Sequence, residues 1–404
     1  MNKEKKRLSI ARRQFLKSAT LSALSTLAMA GSVVAGSPRY PGPLAGTKGT
    51  RSRYEELEKY VRGVLDIDAD TPIHRLYGML TPSDMHFQRN HSGIPEINPD
   101  DYQLLIHGLV DKNLKFTLPE LKRFPSVSRI AFLECSGNCR DYFIKGPQTT
   151  PQHLAGLTSQ SEWTGVSLAT LLREAGLKPK ARWVLAEGGD AALMTRSIPI
   201  AKAMDDAIIC YAQNGEAVRP EQGYPVRLLL PGWEGSCSVK WLRRLKVGDQ
   251  PWMTREETAR YTDPLSDNTA RQFSFVMDAR SIITSPTYPM LMEKGWHEIR
   301  GLAWSGRGAI KSVEVSVDGG GHWQSAHLNP PVLAKAHTRF TLPWHWNGKE
   351  TLLLSRTTDD TGYVQPSARI LINARGIGSL RYHNNAIIGW RIHQDGRVTY
   401  DVIA

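Results

Sequence analysis

Cysteine is scarce in this chain, with four residues among 404. No two of them are separated by two residues, which excludes thioredoxin-like redox motifs, zinc ribbons and covalent haem attachment. Cys135 and Cys139 lie close together in the sequence, whereas Cys210 and Cys237 stand alone. In an oxidising compartment, a disulfide between Cys210 and Cys237 is the alternative to separate thiols.

Long apolar runs are also absent. After the N-terminal segment, no stretch approaches the roughly 18 apolar residues that a membrane-spanning helix needs. Residues 3–13 are rich in basic side chains, and residues 19–35 are weakly apolar with several Ser and Thr. This order predicts an export signal rather than a membrane anchor.

The basic segment contains RRQFLK at residues 12–17, which resembles the twin-arginine export signal. Small residues near Ala30 and Ala35 offer two cleavage sites. Twin-arginine export passes folded proteins that typically acquire a cofactor first. We therefore expect a signal peptide at 1–35 and a periplasmic protein.

Acidic residues are fewer than basic ones, with 39 Asp and Glu against 51 Lys and Arg and a formal net charge of +12. Residues 1–30 hold seven basic residues and one acidic residue, so half of the excess leaves with the signal peptide. The modest remainder does not favour nucleic acid as a partner of an exported protein. A small anionic substrate or an acidic protein partner is expected instead.

The length predicts two domains, because one hydrophobic core rarely serves so many residues. After the signal peptide we expect a linker or arm at 36–69, a catalytic domain at 70–260 and a β-sandwich at 261–404. Strands and helices do not alternate regularly in the catalytic segment, so the expected fold class is α+β.

Local patterns predict individual elements. Strands are expected at 103–107, 128–133, 183–187 and 225–230, and a helix is expected at 167–175, ending at Gly176. Farther along, residues 310–317 alternate like a strand and precede a DGGG hairpin turn at 318–321. Strands are also expected at 352–355 and 368–373, with no helix in this tail, which predicts a compact sandwich.

The cysteine in the most informative context is Cys135, within ECSGNCRD at 134–141. It follows a strand pattern and precedes Gly and Asn, which favour turns, and then Arg140. This pattern suits a core poorly. It would present one thiolate to a metal that prefers sulfur, with a cation nearby to lower the thiol pKa.

Several segments resemble the sulfite oxidase family of molybdenum enzymes, in the family's order and over nearly the whole mature chain. They are FQRNH at 87–91, ECSGN at 134–138, EWTGV at 162–166, GYPVR at 223–227, VKWL at 239–242 and the DGG turn at 318–320. The resemblance implies a molybdopterin-binding domain followed by an immunoglobulin-like β-sandwich that supports a homodimer.

The resemblance implies a molybdenum ion held by the dithiolene of one molybdopterin and by the Cys135 thiolate. The implied cofactor-binding residues are Phe87, Gln88, Arg89, Asn90, His91, Asp190, Gln222, Arg227, Ser238, Val239 and Lys240. Arg89 and Arg140 match the family's substrate arginines, and Tyr261 matches its active-site tyrosine. Two positions depart from the family pattern: Cys139 stands where arginine is common, and Gln222 stands where histidine is common.

The implied reaction is oxygen-atom transfer to reduced sulfur. Because the chain has no haem motif, electrons are expected to pass to a c-type cytochrome, in a heterotetramer if the two proteins associate stably. The segments YTD at 261–263 and YHNNA at 382–386 resemble the sulfane dehydrogenases, which oxidise sulfur carried on a partner protein's cysteine.

Two alternatives stay open. A free-standing sulfite dehydrogenase would share these motifs and differ in access to its pocket. A non-catalytic exported binding protein would use the sandwich alone, but it would have no reason to retain Cys135, Arg89, Arg227 and Lys240 together.

Overall fold

The computed structural model describes residues 51–52, 57–62, 68–265 and 267–403. The predicted signal peptide and most of the predicted linker lie outside these residues. Leu57–Ala404 groups into one compact unit. In the described ranges, no helix combines the length and apolar character needed to cross a membrane.

The end of the predicted linker belongs to a small antiparallel sheet. Strand β1 (Tyr60–Arg62) pairs with β2 (Asp68–Asp70), and β2 pairs with β3 (Gln88–Arg89). Asp68 lies directly opposite Arg89 in this register. The sheet therefore fixes the segment that carries the first group of predicted site residues.

Strands dominate the region that follows. They are β4 (Gln103–Gly108), β5 (Leu114–Thr117), β6 (Ser126–Glu134), β7 (Thr158–Ser167), β8 (Trp183–Gly188), β9 (Thr195–Pro199), β10 (Ile208–Gln213), β11 (Glu216–Ala217), β12 (Arg227–Leu229) and β13 (Leu242–Gly248). The helices are α1 (Leu118–Leu121), α2 (Pro151–Ala155), α3 (Leu168–Ala175) and α4 (Ile200–Asp205), followed by a π-helical turn at Glu256–Arg260.

These strands form two five-stranded sheets. One has the order β5-β4-β13-β8-β9, in which β4 and β13 are parallel. The other has the order β11-β10-β7-β6, with β12 paired to β10. Apolar side chains from both sheets and from α3 form one core cluster, which includes Leu104, Leu171, Ile209 and Leu245. This arrangement confirms the predicted α+β class.

Helix α3 confirms the prediction for 167–175. Leu168, Leu171 and Leu172 lie on its buried face, at the spacing of one helical turn. The helix ends at Gly176, whose φ of 71° falls in the left-handed region that glycine adopts without a Cβ clash. The strands predicted at 103–107, 128–133, 183–187 and 225–230 correspond to β4, β6, β8 and β12.

The rest of the chain forms the predicted sandwich. Its strands are β14 (Asp263–Pro264), β15 (Ala270–Arg271), β16 (Arg280–Ser285), β17 (Gly295–Trp304), β18 (Ile310–Ser316), β19 (Gln324–Ser325), β20 (His327–Asn329), β21 (Thr338–Trp346), β22 (Thr351–Asp359), β23 (Gly389–Ile392) and β24 (Val398–Asp401). The two main sheets have the orders β16-β17-β21-β20 and β19-β18-β22-β23-β24. The predicted turn after β18 leads into its antiparallel partner β19.

The strand predicted at 368–373 is wrong, and so is the expectation of a tail without helix. The chain forms helix α5 (Ala368–Arg375), whose first turn is capped by Ser367 Oγ accepting from the Ile370 N–H at 3.3 Å. Ala368 and Leu371 are buried, whereas Ile370 is 59% exposed. The run of Ile and Leu resembles a strand, but the three-residue spacing of its buried members follows a helix.

The core of the sandwich extends into the preceding region. Phe132 from β6 and Tyr142 pack in the same buried cluster as Trp304 and Trp390 from the sandwich strands. Trp304 and Phe132 have ring centroids 6.4 Å apart. The two regions are therefore joined by a shared apolar core rather than by a linker.

His337 lies in this shared core and generates a prediction about acid stability. Its ring stacks on Phe132 with centroids 5.8 Å apart, and Nε2 lies 3.0 Å from Thr158 Oγ1. Burial lowers the pKa of His337 to about 3. The folded chain favours the neutral ring of His337. The contribution of this residue to the free energy of unfolding is therefore fully present above its pKa in the unfolded chain, about 6.5, and is lost as pH falls from there towards 3.

We expect His337→Asn to reduce the pH dependence of the free energy of unfolding by about 1.4 kcal/mol per pH unit in that window. Urea unfolding of both proteins at a series of pH values measures this difference. Plots of the free energy of unfolding against pH for the two proteins should run parallel above pH 7 and diverge below about pH 6.5. Plots that stay parallel at low pH would contradict the prediction.

Candidate active site

A cavity, here called the Cys135 cavity, lies where several strands and loops meet. Its lining residues are Phe87, Arg89, Asn90, His91, Leu133, Cys135, Asp190, Met194, Gln222, Arg227, Gly235, Ser236, Ser238, Val239, Lys240, Trp241 and Tyr261.

Cys135 directly follows β6, and its N–H donates to Leu157 O at 3.0 Å. Burial raises the pKa of its thiol, and the Arg89 guanidinium opposes this shift without reversing it. The expectation of a lowered pKa is therefore wrong, because desolvation outweighs the nearby cation. A metal ion replaces the thiol proton on coordination, so it would stabilise the anionic sulfur here.

Two cations, the buried Arg227 and the partly buried Lys240, lie on another part of the cavity wall. Arg227 donates to Gln222 O at 2.8 Å and to Ser238 O at 2.9 Å, and its guanidinium lies over the Trp163 ring. Burial lowers the pKa of Arg227 to about 10. Within the described residues, Arg227 forms no ion pair with a carboxylate. An uncompensated buried cation is unfavourable, which predicts an anionic ligand at this wall.

Lys240 is the second of these cations. Its Nζ donates to Glu221 O at 2.9 Å and to Asn90 Oδ1. Burial, followed by repulsion from Arg227, lowers the pKa of Lys240 to about 7. A phosphate or other anion between the two cations would offset both effects.

Asp190 lies at the end of β8 and accepts hydrogen bonds from the neighbouring chain. Its carboxylate accepts from the Met194 N–H at 3.2 Å and from Ser92 Oγ at 3.3 Å. These hydrogen bonds fix the segment 187–190, of sequence EGGD, against the loop that carries His91. The negative charge of Asp190 also raises the pKa of Lys240, partly opposing its burial.

Arg89 belongs to β3 of the small N-terminal sheet and lines the Cys135 cavity. Its Nη1 forms an ion pair with Asp68 Oδ1 at 3.1 Å and donates to Asn90 O at 2.6 Å. Asp68 therefore orients the guanidinium while offsetting part of its charge. An anion next to Cys135 would interact with the remaining positive charge.

Tyr261 and His91 form a neutral pair at the cavity. Tyr261 Oη lies 3.4 Å from His91 Nε2. Burial, followed by repulsion from Arg89, lowers the pKa of His91 to about 4, so the ring is neutral at neutral pH. Burial raises the pKa of Tyr261, so its phenol stays protonated and can donate a hydrogen bond.

A buried ionic cluster beneath Tyr261 escaped the sequence reasoning. The Arg196 guanidinium lies 4.8 Å from the centre of the Tyr261 ring and donates to Glu234 Oε1 at 2.7 Å. His383 Nε2 lies 3.4 Å from Glu234 Oε2. Burial alone would raise the pKa of Glu234, but Arg196 and His383 hold it at about 2. Of these residues, only His383 lies in a segment that the sequence motifs include, the YHNNA segment at 382–386.

The structure brings together ten of the eleven predicted cofactor residues in the Cys135 cavity, and also Cys135 and Tyr261. Gln88 and Arg140 do not line it. Gln88 pairs with Ala69 in the small sheet. Arg140 forms a 3.7 Å ion pair with Asp141 and lines a neighbouring groove instead.

None of the four cysteines forms a disulfide. The alternative pairing of Cys210 with Cys237 is therefore not formed. Both side chains are fully buried, and Cys237 Sγ donates to Glu234 Oε1 at 3.6 Å. Burial raises the pKa of both thiols, which favours their protonated forms.

Comparison with known proteins identifies the class of this site. Residues 91–256 match the family described as the oxidoreductase molybdopterin binding domain. Residues 271–389 match the family described as the Mo-co oxidoreductase dimerisation domain. The two matches follow each other in the order that the sequence motifs predicted.

Individual relatives agree with these matches. Sulfite oxidase of Gallus gallus is 32% identical over 333 residues, covering 75% of this chain and 72% of the relative. Mitochondrial sulfite oxidase of Rattus norvegicus is 31% identical over 333 residues, and this chain spans 60% of its length. The crystal structure of the sulfane dehydrogenase SoxCD from Paracoccus pantotrophus matches with a TM-score of 0.87 and 43% identity, covering 91% of this chain and 96% of that chain.

This chain therefore belongs to the sulfite oxidase family of molybdenum enzymes, and its cofactor is molybdenum bound to molybdopterin. The Cys135 cavity fits that cofactor. It offers one soft sulfur donor at one wall and two cations, the buried Arg227 and the partly buried Lys240, at another. The role of each lining residue stays a prediction.

Arg227 provides a test of this assignment. We expect Arg227→Met to lower the molybdenum and pterin content of the full-length protein about tenfold or more, because a buried charged donor is lost. Elemental mass spectrometry and the fluorescence of the released, oxidised pterin measure the two quantities.

The matched control is Arg173→Met, which changes an exposed arginine on α3. That variant should retain the cofactor content of the wild type. Full cofactor content in Arg227→Met would show that this cation does not hold the anionic part of the pterin.

Proposed function

We propose that this chain is a periplasmic oxidoreductase that oxidises sulfane sulfur carried on the cysteine of a partner protein. The main support is the 43% identity across 96% of a chain named as a sulfane dehydrogenase. The family supports sulfur as the element oxidised. The twin-arginine segment at 12–17 supports export to the periplasm.

The side chains of the Cys135 cavity fit an anionic sulfur substrate. When bound, the molybdenum cofactor would supply the two-electron oxidation, with water as the source of the oxygen atom. Arg89 provides the positive charge that holds the substrate near Cys135, in an orientation set by Asp68. Tyr261 keeps its proton and can donate a hydrogen bond to an oxyanion as negative charge develops.

The observation that favours a protein-borne substrate is a second groove of about 730 Å³, which is wider than the Cys135 cavity of about 70 Å³. Arg140, Arg260 and Arg381 line it, and its described lining residues include no carboxylate. Its Tyr382 ring lies 5.6 Å from the Tyr261 ring at the Cys135 cavity. A basic groove of this size suits an acidic peptide segment, whereas free sulfite needs only the cavity.

The electron balance distinguishes the two substrates. A sulfane sulfur reacts as R–S–S⁻ + 3 H₂O → R–S–SO₃⁻ + 6 H⁺ + 6 e⁻. Sulfite reacts as SO₃²⁻ + H₂O → SO₄²⁻ + 2 H⁺ + 2 e⁻. Water supplies the oxygen atoms in both reactions, and a separate acceptor must take the electrons.

The acceptor is proposed to be a c-type cytochrome, because the sequence contains no C-x-x-C-H haem attachment motif. A homodimer is proposed through the region that matches the dimerisation domain at 271–389. A stable complex with the cytochrome would make this a heterotetramer. The named complex SoxCD supports an assembly of more than one kind of subunit.

Oxidation of free sulfite is the second candidate function. It is favoured by the sulfite oxidases among the relatives, at 31% and 32% identity. The Cys135 cavity could hold sulfite at Arg89 without any use of the groove. The groove is therefore the feature that separates the two functions.

Two variants test this difference with ferricytochrome c as the electron acceptor. The substrates are free sulfite and a peptide that ends in a persulfidated cysteine. Arg89→Met should raise KM about tenfold or more for both, since a charged hydrogen bond is lost. Arg140→Met should raise KM about threefold for the peptide alone, because it lies in the groove and is partly exposed.

The wild type should show at least tenfold higher kcat/KM for the peptide and release six electrons per sulfur oxidised. Comparable turnover of free sulfite, with two electrons per sulfur, would support the second candidate. Full molybdenum content with no turnover of either substrate would contradict both and favour a non-catalytic binding protein.

A further inference from the structure

The loop at 134–139, here the thiolate loop, is held first by its own region. The Cys135 N–H donates to Leu157 O at 3.0 Å, and the Leu157 N–H donates to Asn138 Oδ1 at 3.2 Å. A Cβ on Gly235 would lie only 2.9 Å from Glu134 O, so glycine there permits a close approach of the backbone. These contacts hold one side of the loop.

The other side of the thiolate loop is held by a segment more than two hundred residues later in the chain. The His383 N–H donates to Ser136 O at 2.8 Å. Asn384 Nδ2 donates to Cys139 O at 3.0 Å. Cys139 has φ of 61°, in the left-handed region that residues with a Cβ seldom adopt. The bond from Asn384 therefore stabilises the most strained residue of the loop.

Two sandwich strands reach the same loop. Arg280 and Trp304 lie directly opposite each other in the pairing of β16 with β17. Arg280 Nη1 donates to Glu134 Oε1 at 2.8 Å and to Cys139 Sγ at 3.2 Å. Trp304 Nε1 donates to Glu134 Oε2 at 2.7 Å. Both residues belong to the region at 271–389, which matches the dimerisation domain family. This region therefore contacts the thiolate loop directly.

We propose that the region at 271–389 has a second role, which is to position the Cys135 thiolate for metal binding. Asn384 is the positioning residue for Cys135 in this proposal. The geometry carries the argument: Asn384 touches neither the Cys135 cavity nor a substrate site, yet it binds the backbone four residues after the thiolate. The inference depends on the proposed function only in taking Cys135 as the molybdenum ligand.

The chain offers a closely matched control in the next residue. Asn385 is as buried as Asn384, and its Nδ2 also donates to a backbone carbonyl at 3.0 Å. That carbonyl belongs to Ala279, outside the thiolate loop. Each asparagine makes a second hydrogen bond as well, since Asn384 Oδ1 accepts from the Ala386 N–H and Asn385 Nδ2 donates to Tyr363 Oη. Substituting either asparagine with leucine therefore leaves two polar groups without a partner.

The experiment compares full-length Asn384→Leu, Asn385→Leu and wild type by hydrogen exchange and mass spectrometry. In Asn384→Leu, amide exchange in peptides that cover 135–142 should rise about tenfold. Molybdenum content and the number of molybdenum–sulfur bonds seen by X-ray absorption should fall, and kcat should fall with KM unchanged. Asn385→Leu should lose comparable overall stability. It should keep the wild-type exchange rate in 135–142, molybdenum content, number of molybdenum–sulfur bonds and kcat.

Equal changes in both variants, or none in Asn384→Leu, would overturn the proposal, because the asparagine would then serve general stability alone. If Asn384→Leu does not fold, Asn384→Asp keeps the size, removes the donor and should give the same pattern. A wild type without molybdenum would contradict the proposed function, but the comparison of exchange rates would still decide this inference.

Discussion

The buried ion pair between Glu134 and Arg280 is the contact on which the arrangement of the site depends. Both side chains are almost fully inaccessible, with Nη1 and Oε1 2.8 Å apart. Removing one partner of such a pair typically costs about 3–5 kcal/mol, because the other charge stays buried. Glu134 also accepts from Asn138 and Trp304, so its carboxylate is well satisfied. The residue next to it is Cys135, and the ion pair therefore joins the thiolate to the sandwich.

This contact is reinforced by packing rather than by charge alone. Phe132 lies two residues before Glu134 and packs with Trp304 in the shared core. Tyr142, after the thiolate loop, donates to Ile387 O at 2.8 Å and packs beside Tyr400. Apolar burial and hydrogen bonds thus hold both ends of the loop against the second region. A substitution in the catalytic region or in the sandwich can therefore shift the Cys135 thiolate even when the substituted residue does not line the Cys135 cavity.

The cavity itself is built for a ligand of opposite charge. Arg227 is buried and Lys240 is partly buried, both donate to neutral backbone or amide oxygens, and desolvation lowers the pKa of each. An anionic cofactor would raise both pKa values again, so binding the cofactor and keeping both cations charged are coupled. Arg89 differs because Asp68 already neutralises part of its charge. This difference suits Arg89 to an exchangeable substrate and Arg227 to a resident cofactor.

The sequence by itself determined the class of the protein, its α+β fold and most of the cavity wall. This succeeded because residues such as Asn90, Arg227 and Lys240 lie in short motifs whose chemistry depends on neighbours in the chain. Arg140, predicted as a substrate arginine, lines the neighbouring groove rather than the cavity, and its role stays a prediction. The strand expected at 368–373 is helix α5, because burial of one helical face outweighs the β propensity of its Ile residues.

Only the tertiary structure decided which distant residues support the thiolate. Arg196 and Arg280 carry no motif, and Asn384 lies in the YHNNA segment without any sign there of what it contacts. The partners of these three residues lie between 38 and 245 positions away in the chain. The sequence could not reveal such pairs, because side chains far apart in the chain meet only when the sheets pack. It also could not give the pKa of Cys135, since desolvation depends on everything that folds around the sulfur.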